Sequence, residues 1–328
     1  MRRLRSIAAA LLALFAAGCI DIDFDPPHLV KSTRMLALSA TPPEVAFGED
    51  VVFEVLVVEA DGTPLPGQPG VELRWTVCVS LNEVVNALGL GSEVDLDDTC
   101  DEGGDDLVVL GSEGLEADQA RLPGEVFTRL LASFMGGAPM MPAPDGGGDL
   151  DPELLETLGA LVAEVGAPLR VQLEVYRDGV LVEKGFKRFA ITQRDNPTTN
   201  PPPPRFRVGE TWVSARDGGD PHVCVPEERD AVLVPMGSEV ELDPDDGEEA
   251  WLEEYPVVTL GNSIQINEES AFYSWFTTAG EMSDDVTQRP LDEVTWTTPQ
   301  DAGPEVLWVV VRDGHLGMSW CRVDVEVQ

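Results

Sequence analysis

Histidine is scarce in this chain, with three in 328 residues, and aromatic residues make up only 6 %. His28, His222 and His315 fall in no triad, zinc-site or nucleotide-binding context. No Gly-x-Ser-x-Gly elbow, His-Glu-x-x-His helix or phosphate loop is present, so the familiar hydrolase and nucleotide chemistries have no foothold. His315 sits in a predicted hairpin turn and reads as a solvated surface residue. Positive charge is scarce too: 21 Lys and Arg stand against 60 Asp and Glu, a formal charge of −39. Such a field repels nucleic acid and anionic lipid headgroups. Long apolar runs are also missing. The stretch at 7–15 is too short for a bilayer span, which needs roughly 20 residues, and none of that length follows.

What is present at the N-terminus is specific. Arg2, Arg3 and Arg5 precede the apolar stretch, then come Ala16, Ala17, Gly18 and Cys19. A basic region, a short apolar region and small residues before a cut form a secretory signal. With a cysteine directly after the cut, the pattern resembles the lipobox of bacterial lipoproteins. The resemblance implies a signal peptide at 1–18 and lipidation of Cys19, with several acyl chains; two or more anchor a protein stably at a membrane. Ile20 stands where Asp is the familiar inner-membrane retention signal, which points to the outer membrane, on its periplasmic side or at the cell surface. Cleavage removes three arginines and no acid, making the mature form still more acidic.

A chain of this length suggests two domains, because single cores seldom exceed ~250–300 residues. The 26 prolines and 31 glycines imply many turns. Residues 19–33, with the Pro26-Pro27 pair, read as a polar tether. A β pattern starts at Met35 and continues through 51–58. Leu73, Trp75, Val77 and Val79 then alternate with polar neighbours, the period of a half-buried strand. Residues 81–166 break the rhythm and read as an insertion. It contains an acidic loop at 92–106, a possible helix at 124–134, a Met-, Pro- and Gly-rich run at 135–149, and a second helix at 151–165. That helix opens on Asp151-Pro152-Glu153 and places Leu154, Leu158 and Leu161 on one face. Strands return at 169–175, 180–184 and 187–191. The four prolines at 201–204 end a linker over 196–204, read as a stiff polyproline II spacer. Beyond it, short predicted strands at 210–216, 231–235, 239–242, 257–260, 263–266, 272–277, 293–297, 306–312 and 318–327 argue for a β-sandwich.

The segment 307–327, with Trp308 and Trp320 flanking the turn at Asp313-Gly314, resembles the closing hairpin of PKD-like and cadherin-like sandwiches. Residues 273–280 resemble their central strand, with Trp275 as its core marker, and Trp75 takes that place in the first domain. Residues 42–49 are similar to the first strand and turn of bacterial Ig-like modules. As a whole the chain resembles Ig-like surface lipoproteins of Gram-negative bacteria. The expected architecture is all-β: two Ig-like β-sandwich domains, at 34–195 and 205–328, the first carrying a partly helical insertion.

Four cysteines besides Cys19 allow three disulfide connectivities in an exported chain. Cys78–Cys100 and Cys224–Cys321 is the simplest arrangement. Cys321 shares a strand face with Val323, Val325 and Val327 and so points inward, whereas Cys78 lies opposite Trp75 and Val77 and so points outward. No spacing among these cysteines suits zinc. Two acidic clusters raise calcium as a possible cofactor: one includes Asp95, Asp97 and Asp98, the other Asp243, Asp245 and Asp246. Neither fits an EF-hand loop. The functional expectation is a non-enzymatic, membrane-anchored envelope module for a protein or glycan partner. The alternatives are a calcium-dependent adhesive module and an accessory or weak hydrolase with its site in the insertion.

Overall fold

The computed structural model describes residues 26–46, 48–78, 107–126, 163–245, 251–259 and 263–328. The first sandwich contains strands β1 (Arg34–Thr41), β2 (Glu44–Ala46), β3 (Val51–Val58), β4 (Val71–Cys78), β5 (Leu107–Val109), β6 (Gln119–Leu122), β7 (Ala167–Arg177) and β8 (Val180–Thr192). They form one sheet in the order β1-β3-β6 and a second in the order β2-β8-β7-β4-β5. The period-two pattern explains the core: Val51, Phe53, Val55 and Val57 from one sheet meet Trp75, Val77, Leu169, Val171 and Leu173 from the other.

The second sandwich contains β9 (Phe206–Val208), β10 (Thr211–Ala215), β11 (Cys224–Pro226), β12 (Val232–Val234), β13 (Glu239–Pro244), β14 (Glu254–Thr259), β15 (Ser263–Glu268), β16 (Phe272–Thr277), β17 (Glu281–Met282), β18 (Val286–Gln288), β19 (Val294–Thr297), β20 (Gly303–Arg312) and β21 (Met318–Val327). Its sheets run β11-β10-β9-β13-β19-β17 and β12-β21-β20-β16-β18, with β14 and β15 as a separate hairpin. The two sandwiches repeat one topology. Each closes with a long antiparallel hairpin, β7–β8 or β20–β21. A short strand pairs in parallel with the last strand, β2 with β8 and β12 with β21. On the other side lies the strand that carries the buried tryptophan, Trp75 on β4 or Trp275 on β16. This is an Ig-like arrangement, as the sequence led us to expect.

Two expectations change in detail, and a third falls mostly outside the described residues. Residues 81–166 are not one insertion: β5 and β6 lie inside that range, β6 pairs with β3, and Ala120 and Leu122 are core residues. Of the two expected helices, residues 124–126 and 163–165 are helical, while Leu154, Leu158 and Leu161 lie outside the described residues. Lastly, β8 runs unbroken where two strands were expected around Gly185. That glycine marks close packing: a Cβ there would sit 2.5 Å from the Met35 sulfur.

A third apolar cluster joins the two sandwiches. Leu36, Ala37 and Val58 on the outer face of the first pack against Phe276, Val306, Trp308, Val310, Met318 and Trp320 on the outer face of the second. Strand β20 is therefore apolar on both sides, with Leu307, Val309 and Val311 turned to its own core. The turn at Asp61-Gly62 presses onto this cluster. Gly62 has φ +81, and a Cβ there would lie 2.8 Å from Val306 Cγ2. The tether and the linker are drawn into the same seam. Val30 is buried, its amide donates to the Thr277 carbonyl, and the Thr277 amide donates to the His28 carbonyl. In the linker, Pro201 and Pro204 are buried. The Asn200 amide donates to the Ala40 carbonyl and its oxygen accepts from the Met318 amide. The proline run is a docked strap, contrary to the spacer reading, because its rings are themselves apolar surface to be covered.

Candidate functional site

Two places in the fold concentrate polar chemistry: the seam between the sandwiches, and the outward face of the five-stranded sheet in the first. At one end of the seam Glu44 of β2 is 1 % exposed. Its carboxylate accepts from the Thr198 amide at 2.8 Å and from the Arg194 guanidinium, and lies 3.3 Å from the His315 ring. Burial alone would raise this carboxyl, but the hydrogen bonds from His315, Thr198 and Arg194 hold it below the usual range. His315 stacks on Tyr255 with ring centroids 3.8 Å apart, and its amide donates to Asp313.

Two further buried acids lie beside this group. Glu269 accepts from the Glu253 amide at 3.0 Å, and its second oxygen has no hydrogen-bond partner among the described residues. Desolvation, reinforced by the charge of Asp313, pushes its pKa up to about 8. Asp313 is likewise raised by burial, against the opposing pull of the His315 amide and Lys187. Burial lowers Lys187 to about 8, with Asp313 resisting the shift.

At another point on the seam His222 stacks on Trp320, centroids 4.0 Å apart, and pairs with Glu54 of β3 at 3.1 Å. Burial draws the His222 pKa down, but Glu54 outweighs it and the net shift is upward. His28 is buried and its Nε2 accepts from the Met282 amide at 3.2 Å, a bond only the neutral ring can make there. Desolvation lowers its pKa accordingly. All three histidines thus belong to contacts that join the sandwiches or the tether to them. The surface reading of His315 fails because Glu44 and Tyr255, remote in sequence, converge on its turn.

The outward face of the sheet β2-β8-β7-β4-β5 has a different character. Arg170, Gln172, Glu174 and Tyr176 on β7 alternate with core residues and are only partly covered. Lys184, Phe186 and Arg188 on β8 are exposed. Arg74 lies over the Tyr176 ring at 4.2 Å and Arg170 over Phe186 at 5.7 Å.

The other sequence-predicted residues are placed as follows. Cys224 and Cys321 form a disulfide with a Cα–Cα distance of 5.6 Å, and Cys321 is fully buried beside Val323, Val325 and Val327. Cys78 is also disulfide-bonded; Cys100 lies outside the described residues, as does Cys19. Cys78 faces away from the core but is covered, at 8 % exposure. Trp75 and Trp275 are core residues, and the Trp275 indole donates to Thr287. Asp95, Asp97, Asp98 and Asp246 lie outside the described residues. Asp243 pairs with Arg207 at 2.9 Å, and Asp245 with Arg205. Carboxylate oxygens of Glu241, Asp243 and Glu293 lie within 4.8 Å of one another, and Arg207 also occupies Glu241. Glu44, Glu269 and Asp313 were not singled out by sequence. Only Asp313 had a local signal, the uninterrupted apolar run before it, a mark of a strand buried on both faces.

No protein-family model matches this chain, and no curated protein sequence matches it. Among solved structures, immunoglobulin domains 1–4 of Sidekick-1 align over 93 % of this chain and 51 % of theirs, at 8 % identity and TM-score 0.20. The D0-D1 domain of intimin aligns over 89 % of this chain and 97 % of its own, at 8 % identity and TM-score 0.19. A nucleoside hydrolase-related hypothetical protein from Saccharophagus degradans aligns over 41 % of this chain at 16 % identity and TM-score 0.24; the match spans 28 % of that protein.

Proposed function

We propose that this protein is a non-enzymatic envelope lipoprotein, anchored through Cys19 in the outer membrane. Its two Ig-like sandwiches act as one stiff recognition module for a protein or glycan partner. The observation that carries this reading is the seam. An apolar cluster, a docked proline strap and the half-buried His222–Glu54 and His315–Glu44 contacts fix the sandwiches to each other, so a binding face on one is held at a set orientation by the other. A calcium-dependent adhesive role is the alternative, resting on the Glu241, Asp243 and Glu293 group; calcium there would have to displace Arg207. A melting temperature raised by millimolar calcium would favour that alternative.

The test is fractionation of cells expressing the wild type and Cys19→Ser, with intact-mass analysis of the mature N-terminus. The proposal expects an acylated Cys19 in outer-membrane fractions and release of the variant to the soluble fraction. An unmodified N-terminus, or an unchanged membrane location for the variant, contradicts it. Protease treatment of intact against lysed cells then distinguishes the cell surface from the periplasmic side.

A further inference from the structure

One histidine of the seam sits in a geometry that fixes its protonation. His222 lies in the loop between β10 and β11, and its carbonyl accepts from the Arg322 amide at 2.8 Å. Its Nε2 lies 3.1 Å from a Glu54 oxygen across the seam on β3, and its Nδ1 lies 3.4 Å from the Trp320 carbonyl. A carboxylate and a carbonyl can only accept, so both ring nitrogens must carry hydrogen to satisfy them, and only the imidazolium does. The ring also lies nearly parallel to the Trp320 indole, with 14° between the planes and centroids 4.0 Å apart, and an indole face attracts a cation. Three observations thus ask for the same charged form. Among the described residues the surroundings are acidic. Asp118 and Glu116, in the turn that leads into β6, lie near Glu54, and Asp118 is raised by burial with Glu54 adding to the shift. On the same loop Asp220 accepts from the His222 amide at 2.8 Å. The neighbouring cations face other acids: Arg121 of β6 lies 3.9 Å from Asp50, and Arg322 of β21 pairs with Asp324 at 2.8 Å.

We infer that His222 is a proton-operated clasp between the sandwiches. As the imidazolium it ties the loop before β11 to Glu54 and lies flat on Trp320; on losing its proton it gives up part of this hold, and that corner of the seam loosens. A neutral ring has one N–H, so either Glu54 or the Trp320 carbonyl loses its donor, and the indole loses its cation. The balance of charge and burial agrees: burial draws the His222 pKa down, and the bond and charge of Glu54 more than reverse that. A folded value above the ordinary 6.5 sets the sign, so the clasp contributes fully below 6.5 and is lost as pH rises through the folded value. The apolar cluster beside it, which includes Trp320, Leu36 and Val58, has no titrating group, so the sandwiches stay joined while this corner answers to pH. His28 is the contrast within the same seam. Its Nε2 accepts from the Met282 amide, so the neutral ring is the bound form and acid loosens the tether while it tightens the clasp. The clasp belongs to the seam and operates whether or not the module holds a partner.

The experiment follows the imidazole signals of the isotope-labelled Cys19→Ser chain by NMR from about pH 5 to pH 9. His222 is assigned by its contacts to the Trp320 ring. Its expected midpoint lies above 6.5, with both nitrogens protonated below it, while that of His28 lies below 6.5. In Glu54→Gln, which keeps the shape of the side chain and removes its charge, the His222 midpoint should fall by about one pH unit. Hydrogen exchange at the Arg322 amide reads the clasp itself, with the Val309 amide in the middle of β20 as the reference. Protection of Arg322 relative to Val309 should drop as pH rises through the His222 midpoint, about tenfold for each pH unit by which that midpoint exceeds the ordinary value. His222→Gln is uncharged throughout and should show no such drop. A wild-type midpoint at or below 6.5, or a raised one that Glu54→Gln leaves in place, overturns the assignment. A raised midpoint with Arg322 protection that does not change with pH overturns the clasp, leaving His222 an ion pair with no hold on the seam.

Discussion

At the scale of single residues, the seam holds acids in an environment that opposes their charge. Glu269 is the clearest case. Its carboxyl keeps its proton up to about pH 8, against an ordinary value of 4.5, because burial and the neighbouring Asp313 both disfavour the anion. Between those values the folded chain holds a proton that the unfolded chain has released. Stability from this group is therefore fully present below about 4.5 and is lost as pH rises through about 8. Glu269→Gln cannot ionise. It should match the wild type near pH 4.5 and exceed it by about 2–4 kcal/mol at pH 9, read by urea unfolding at both values. A constant difference at the two pH values would mean that the carboxyl is not held protonated. His28 acts the other way: its folded pKa is lowered, so its contribution is fully present above about 6.5 and is lost as pH falls from there through the lowered folded value.

At the scale of elements, the instructive strand is β20. A strand with one buried face alternates, and most of the strands that the sequence revealed do so: β3, β7 and the Trp75 stretch of β4. The uninterrupted run Leu307, Trp308, Val309, Val310 and Val311 was legible as a strand, and its second buried face was there to read in the missing polar positions. Which surface would cover that face was not legible, because Leu36, Ala37 and Val58 lie some 250 residues away in sequence, and local periodicity carries no information on such pairing. The inward phase of Cys321 followed from alternation alone, whereas the strand holding Cys224 is three residues long and has too little pattern to show. The prolines at 201–204 were misread as a spacer because composition cannot distinguish a solvated polyproline segment from one laid against a partner surface. The sheet face with Phe186 and its arginines was likewise invisible, since it depends on register across four strands. Trp308 tests the double-sided strand. Trp308→Ala should cost about 3–5 kcal/mol in calorimetry and split the unfolding endotherm in two, as the sandwiches lose their coupling. A loss under 1 kcal/mol with one unchanged transition would show that the seam contributes little.

At the scale of the whole molecule, the repeat of one topology in both sandwiches leaves each able to close its own core, and the seam adds a third apolar layer between them. Interfaces between domains of one chain are ordinarily more polar than obligate ones and permit relative motion, while a large apolar one restrains it. For a chain anchored as proposed, this restraint would hold a face on the first sandwich at a set orientation to the second. The most direct measurement is a double electron–electron resonance distance between spin labels at Val180 and Leu291, 64 % and 81 % exposed on the first and second sandwich, in the Cys19→Ser chain. The account predicts one narrow distance distribution that broadens in Trp308→Ala. A broad or multimodal distribution in the otherwise unaltered chain would contradict it, showing two sandwiches that move independently about the proline segment.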